Sequence, residues 1–190
     1  MTDSPTRSDA LALMHEYVQS KSLRRHMYAV EAAMRGYARD FGEDRELFGI
    51  TGLLHDFDYE RHPDDHPVPG AGVLRDRGYP EQLVTAILAH NPQRTGVRPA
   101  TLLDRTLYAC DEITGLITAT ALVRPSKSVR DLKAKSVLKK YKDKQFAAGV
   151  DREELQLGAE LLGVELGDHV EFVIGAMRGV AGELGLAGTA

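Results

Sequence analysis

Fifteen consecutive residues, Leu53 to Pro67, hold His55, His62 and His66 together with Asp56, Asp58, Glu60, Asp64 and Asp65. Imidazole nitrogens and carboxylate oxygens at that density are the donor set of a divalent cation. Three further donors, His26, His90 and Asp111, stand elsewhere in the chain. Imidazoles and carboxylates without thiolates suit Fe, Mn, Co, Ni or Mg better than a structural zinc. Each residue taken singly reads more simply as an ordinary core or surface group, and only the combination points to a metal site. Cys110 is the sole cysteine, so it forms no internal disulfide and reads as a small buried hydrophobe.

Helices must deliver those donors. Leu11, Met14 and Val18 recur at helical spacing and predict a helix over about 9–19, after a flexible N-terminus of residues 1–8. Leu23, Met27, Val30, Met34, Tyr37 and Phe41 mark a second helix that Gly42 ends, with His26 beside its apolar stripe. Asp44 caps a third, whose inward residues Leu47, Ile50 and Leu54 lead directly to His55 and Asp56. Pro63, Pro67 and Pro69 predict a loop from about Tyr59, of a length that points to function, and Gly70 and Gly72 open a short helical piece through Arg75. Pro80 starts a helix that reaches His90, with Leu83 and Ile87 on the histidine's face. A long helix from about Thr101 to Leu122 carries Leu103, Leu107, Cys110, Thr114 and Ile117 on one side, with Asp111 close to that side. Ser128 and Asp131 predict a helix that Gly149 ends, and Asp151 predicts one that runs to about Leu162. Val170, Val173, Ile174, Met177, Val180 and Leu184 mark the last. No run alternates at period two, so the expectation is an all-α single domain of seven to nine helices, without repeats or a linker.

The composition, 43% apolar and 27% charged, is that of an ordinary globular domain with enough length for a buried core. A net charge of −4 offers no basic stripe to a phosphate backbone, and no apolar run approaches a membrane span. Neither nucleic acid nor a membrane is therefore expected as a partner. The single cysteine and the lack of a signal-peptide pattern point to the cytoplasm. Between Arg124 and Lys144 nine Lys and Arg residues cluster, which reads as a solvated helix face rather than a nucleic-acid patch.

The order His26, then His55-Asp56, then Asp111 resembles the HD-domain metal-dependent phosphohydrolase superfamily, whose pattern is a His, an adjacent His-Asp pair and a distant Asp on helices of one bundle. Leu53-Leu54-His55-Asp56-Phe57-Asp58-Tyr59 and Asp111-Glu112-Ile113-Thr114-Gly115-Leu116-Ile117 are similar to segments of small predicted HD hydrolases. The likeness continues through Arg124-Pro125-Ser126-Lys127-Ser128. Two-metal members add two histidines between the pair and the last Asp, and His66, ahead of Pro69-Gly70-Ala71, and His90, in Ile87-Leu88-Ala89-His90, match that arrangement. The resemblance implies an HD-type helical core over residues 9–125, with C-terminal helices of 126–190 packed on the same domain. It further implies divalent metal ions, two in number: metal 1 on His26, His55, Asp56 and Asp111, metal 2 on His66 and His90, with Asp56 bridging. His62, in the same loop, stays open as an alternative to His66. Several two-metal relatives place a Lys three residues after the pair's Asp, where this chain has Tyr59. The charge that meets a substrate phosphate is therefore expected from Arg124 and Lys127, with Arg61 and Arg94 as further candidates.

For function, the resemblance implies a phosphohydrolase in which a metal-bound hydroxide attacks a small phosphorylated substrate such as a nucleotide, with His55 and Asp56 at the catalytic centre. The same six ligands would serve a di-iron oxygenase of HD type. A non-catalytic, metal-stabilised nucleotide sensor using the 124–144 segment is a third reading. His15 and His169 lie outside the pattern and read as surface residues, while Asp58 and Glu60 either orient ligating imidazoles or are merely solvated.

Overall fold

The computed structural model describes residues 5–188, so residues 1–4 of the expected flexible N-terminus lie outside the described residues. Helix α1 (Arg7–Tyr17) begins two residues earlier than its apolar pattern predicts, because Thr6 and Asp9 form a reciprocal capping box. Helix α2 (Lys21–Phe41) is capped by the Ser20 hydroxyl and stops at Gly42, which takes the left-handed conformation at φ 74°. Asp44 accepts the Glu46 and Leu47 N–H groups at 2.8 and 3.1 Å and so starts α3 (Arg45–Leu54), which ends at His55. The short α2–α3 connection makes the two helices antiparallel neighbours, which sets the first turns of α2 beside the last turn of α3. His26 and His55 are thereby brought to the same end of the pair.

The chain continues through α4 (Val68–Asp76), α5 (Glu81–Ala89), the four-residue α6 (Pro92–Thr95) and α7 (Leu102–Leu122). It ends with α8 (Ala134–Tyr141), α9 (Arg152–Leu162) and α10 (Leu166–Gly179). Ten helices thus stand among the described residues where the periodicity predicts seven to nine, and α6 is the piece it overlooks. There Asn91 accepts the Arg94 N–H and Pro92 occupies the first helical position, so the Asn-Pro that ends α5 also starts a new turn. The helix expected from Ser128 is shorter than predicted. The Ser128 hydroxyl accepts the Arg130 N–H in a local turn, and Ser128 pairs with Ala187 in an isolated bridge. Such side-chain bonds compete with helix formation, and α8 waits until Ala134 and stops at Tyr141, before Gly149.

The fold is an all-α single domain with α2 at its centre, packed against α3, α7 and α10, while α7 also meets α5, α8 and α9. Met27, Val30, Met34, Leu53, Leu54, Leu107, Ile113 and Ile117 are fully buried between these helices. Cys110 lies in the same core, as expected of a small hydrophobe. The buried Glu31 on α2 takes forked bonds from Arg7 on α1 and a further one from Arg35, which reaches on to Glu46 on α3. Among the described residues no helix is long and apolar enough to cross a membrane.

His169 corrects the sequence reading. It is not a surface residue but lies 1% exposed on α10, where it joins three helices. Its Nε2–H donates to the Ala109 carbonyl of α7 at 2.8 Å, which leaves Nδ1 to accept from the Tyr37 hydroxyl of α2 at 2.6 Å. Period alone could not separate this histidine from a surface one, since its value lies in two partners far away in sequence.

Burial lowers the His169 pKa, so the fold holds the neutral ring. A depressed pKa contributes stability that is present above the unfolded value, about 6.5, and is lost as pH falls from there toward the folded value. Thermal melts of the wild type and His169→Gln should therefore differ most near neutral pH, and the gap should shrink on acidification to about pH 5.5. A constant gap would show that the ring's protonation plays no part.

Candidate metal centre

Four helix-derived segments converge on Asp56, the first residue beyond the His55 cap of α3. The Oδ2 atom of Asp56 faces His55 Nε2 at 3.4 Å and His26 Nε2 at 3.6 Å. Its Oδ1 atom faces His66 Nε2 at 3.1 Å and His90 Nε2 at 3.6 Å. Asp111 Oδ1 on α7 completes the first set, at 3.0 Å from His26 Nε2 and 3.5 Å from His55 Nε2. Two groups of donors result, His26, His55 and Asp111 on one side and Asp56, His66 and His90 on the other. All six ligand candidates named by the sequence are brought together.

The opposite ring nitrogens reveal how the donors are held. His55 Nδ1 donates to the Gly52 carbonyl at 2.8 Å, and His90 Nδ1 donates to the Ile87 carbonyl. Each is a bond back to the residue three positions earlier, made where a helix end leaves carbonyls without intrahelical partners. His66 Nδ1 donates to Asp58 Oδ1 at 2.6 Å. Thr114 gives its hydroxyl proton to the Asp111 carbonyl at 2.8 Å, which leaves its oxygen to accept from His26 Nδ1 at 3.3 Å. Every Nδ1 is thus committed as a donor, and in each neutral ring the lone pair sits on Nε2, aimed at the carboxylates and at another Nε2. The His26–His55 and His66–His90 Nε2 pairs are only 3.2 and 3.1 Å apart. Facing lone pairs at that separation need a proton or a cation between them, so the residues present fit divalent ions with the outer nitrogens pinned.

Charge follows the same pattern. Burial opposes a charge on His55, but Asp56 and Asp111 outweigh it and hold the imidazolium well above its usual range. Burial likewise opposes a charge on His66, and bonds to Asp56 and Asp58 carry its pKa up to about 9. The Asp56 and Asp111 carboxyls, despite burial, are held well below the carboxylate range, His55 being the largest opposing influence on each. Protons on the imidazoles offset two half-buried carboxylates, a task that cations would perform as well.

The cavity around this cluster, about 340 Å³, is also walled by Tyr59, Asn91, Gln93, Glu112, Gly115 and Glu154. Burial and then Asp111 push the Glu112 carboxyl up to about 8. Among the described residues no Lys or Arg lines this cavity, and the residues expected to meet a phosphate stand elsewhere. Arg61 stacks 3.8 Å from the Tyr17 ring centroid and donates to the Glu16 carbonyl on α1. Arg124 pairs with Asp131 at 2.7 Å and lies thirteen residues beyond Asp111, roughly 20 Å along a helix axis. Lys127 is exposed in the turn that follows, and Arg94 is exposed on α6.

Within the loop the structure turns His66 inward, 5% exposed, and leaves His62 at the surface. His15 is exposed, as expected. Asp58, which the sequence left as either orienting or solvated, is 1% exposed and holds both His66 and the Gly70 N–H, the latter at 2.7 Å. A Cβ on Gly70 would fall 2.6 Å from the Asp58 carboxyl carbon, so only glycine lets the backbone come so near. Glu60 instead accepts the Gln19 and Ser20 N–H groups and braces the α1–α2 turn. Sequence reasoning missed Thr114 and the Gly52 and Ile87 carbonyls. The available signal was that His55 and His90 each stand at the last position of a helical pattern.

A family model described as HD domain matches residues 23–116, a span that includes all six donors. No solved structure matches the chain.

Two outcomes are expected. Asp58→Ala should weaken metal binding about 10- to 100-fold, as loss of an imidazole's outer partner does, while circular dichroism keeps its helical signal. Unchanged affinity would remove Asp58 from the site. Because His66 holds its extra proton up to about pH 9, metal uptake near pH 7.5 should release protons, and apparent affinity should rise with pH until about 9. Calorimetry in buffers of different ionisation enthalpy measures that release.

Proposed function

Because the chain belongs to the HD-domain superfamily, we propose that it is a metal-dependent phosphohydrolase with a two-cation centre, acting on a small phosphate monoester. HD-domain proteins are generally metal-dependent phosphohydrolases, which supports the reaction class. The observation that carries the two-cation reading is Asp56, whose two oxygens face separate histidine pairs. His26, His55, Asp111 and Asp56 Oδ2 would hold one ion, and His66, His90 and Asp56 Oδ1 the other. Divalent ions held there would supply an acidified water and neutralise charge on phosphoryl oxygens.

The chain's own residues set the rest. Four neutral imidazoles and the two carboxylates Asp56 and Asp111 bring a charge of about −2 to a pair of divalent ions, which leaves roughly +2 to face the substrate. A phosphate monoester dianion matches that remainder. With no Lys or Arg among the residues that line the cavity, and Glu112 and Glu154 there instead, a second or third phosphate would find no cation, so a monophosphate is favoured over a di- or triphosphate. A nucleoside monophosphate falls within this class. Asp58, Thr114 and the Gly52 and Ile87 carbonyls keep the four rings from turning as the reaction proceeds.

The test is phosphate release from a panel of monoesters by the full chain loaded with Mn or Co, alongside elemental analysis. Asp56→Ala, which removes the carboxylate common to both histidine pairs, should lose metal and reduce turnover about a hundredfold or more while keeping its helical signal. Full activity in that variant would sink the proposal. Oxygen consumption by an iron-loaded protein that releases no phosphate would replace the reading with an oxygenase. Tight nucleotide binding without turnover under any metal would replace it with a sensor.

A further inference from the structure

Gly115 stands one turn beyond Asp111 on α7, on the wall of the metal cavity. Glycine in a helix interior is less stable than alanine, so its presence calls for a reason. Packing supplies one at Gly52 and Gly158, though not at Gly72 in α4 or Gly175 in α10, where an added Cβ would meet nothing within 4 Å. A Cβ on Gly52 would fall 3.0 Å from the Val30 carbonyl oxygen, and one on Gly158 would fall 2.8 Å from Ala109 Cα, where helices cross closely. At Gly115 the nearest atom would be Val150 Cγ2 at 3.7 Å, an ordinary contact. No neighbour in the fold demands glycine here.

What adjoins Gly115 is a second cavity, about 250 Å³, between α2, α7 and the segment after α10. Ala119 and Leu122 of α7 and Leu184 and Leu186 of that segment give it most of its exposed surface, and Ser22, Arg25 and Thr118 line it as well. His26 and Gly115 line both this groove and the metal cavity, so the two spaces lie on either side of those residues. A side chain at position 115 would stand where the two spaces adjoin. On the opposite side the metal cavity adjoins another space through Gln93 and Glu154, but there the Gln93 amide donates to the Glu154 carboxylate at 3.3 Å and the junction is polar.

The geometry points to Gly115 as a specificity-determining residue that admits an apolar arm of the substrate into the α2–α7 groove while the phosphate lies at the metal donors. The substrate class is thus a phosphate monoester of an alcohol that bears an apolar chain. This inference rests on the phosphomonoester reading above, since it assigns the phosphate to the metal cavity.

Titration calorimetry of methyl phosphate and n-hexyl phosphate against the Mn-loaded full chain tests it, with phosphate release followed separately. The wild type should bind the hexyl ester at least about tenfold more tightly than the methyl ester, as burial of several methylenes requires. Gly115→Ala should narrow that ratio and melt no lower than wild type, and Gly115→Val should bring the ratio close to one. Equal affinities in the wild type, a ratio that survives in Gly115→Val, or no binding of either ester would overturn the inference. A hexyl preference lost in Gly115→Val, with no phosphate release from either ester, would uphold the groove and overturn the hydrolase reading alone.

Discussion

One carboxylate holds the site together. Asp56 turns one oxygen to His26 and His55 and the other to His66 and His90, at 3.1 to 3.6 Å. Four segments distant in sequence must meet for this to happen. The antiparallel α2–α3 pair brings the first two rings together, the turn region after α3 folds His66 back, and the end of α5 adds His90. Burying carboxylates near one another is costly unless charge is offset, and the surrounding imidazoles, with protons or with cations, supply that offset.

The same physical device recurs at each ring. Imidazole can present a lone pair reliably only if its other nitrogen is fixed as a donor. His55 and His90 use carbonyls that helix ends leave unpaired, His26 uses a threonine hydroxyl, and His66 uses the buried Asp58. Function and fold share these bonds, because one oxygen of the buried Asp58 takes the His66 ring while the other takes the Gly70 N–H.

The distribution of cations shapes what the cavity can accept. Two of the arginines expected at a phosphate serve the scaffold instead, Arg61 against α1 and Arg124 against Asp131. Lys133, Lys135, Lys139, Lys142 and Lys144 lie exposed around α8, away from the cavity lining. The cavity is left with acidic and amide walls, so recognition of an anion falls to whatever cations the six donors hold. An apolar groove at Gly115 then becomes the means by which one small ester is distinguished from another.

The sequence by itself determined most of the helices and singled out the six candidate donors. Helical periodicity and capping residues are local properties, readable at Asp44 and Asp151, and the donor types are rare enough in combination to stand out. Local rules failed where a side chain bonded within its own turn, as at Ser128, or where Asn-Pro restarted a helix at α6. Only the tertiary structure decided that His66 turns inward while His62 does not, that Asp58 is an orienting residue, that His169 is a core hinge between three helices, and that Arg61, Arg124 and Lys127 stay out of the cavity. Those outcomes depend on distances between residues tens of positions apart, which composition and spacing do not encode.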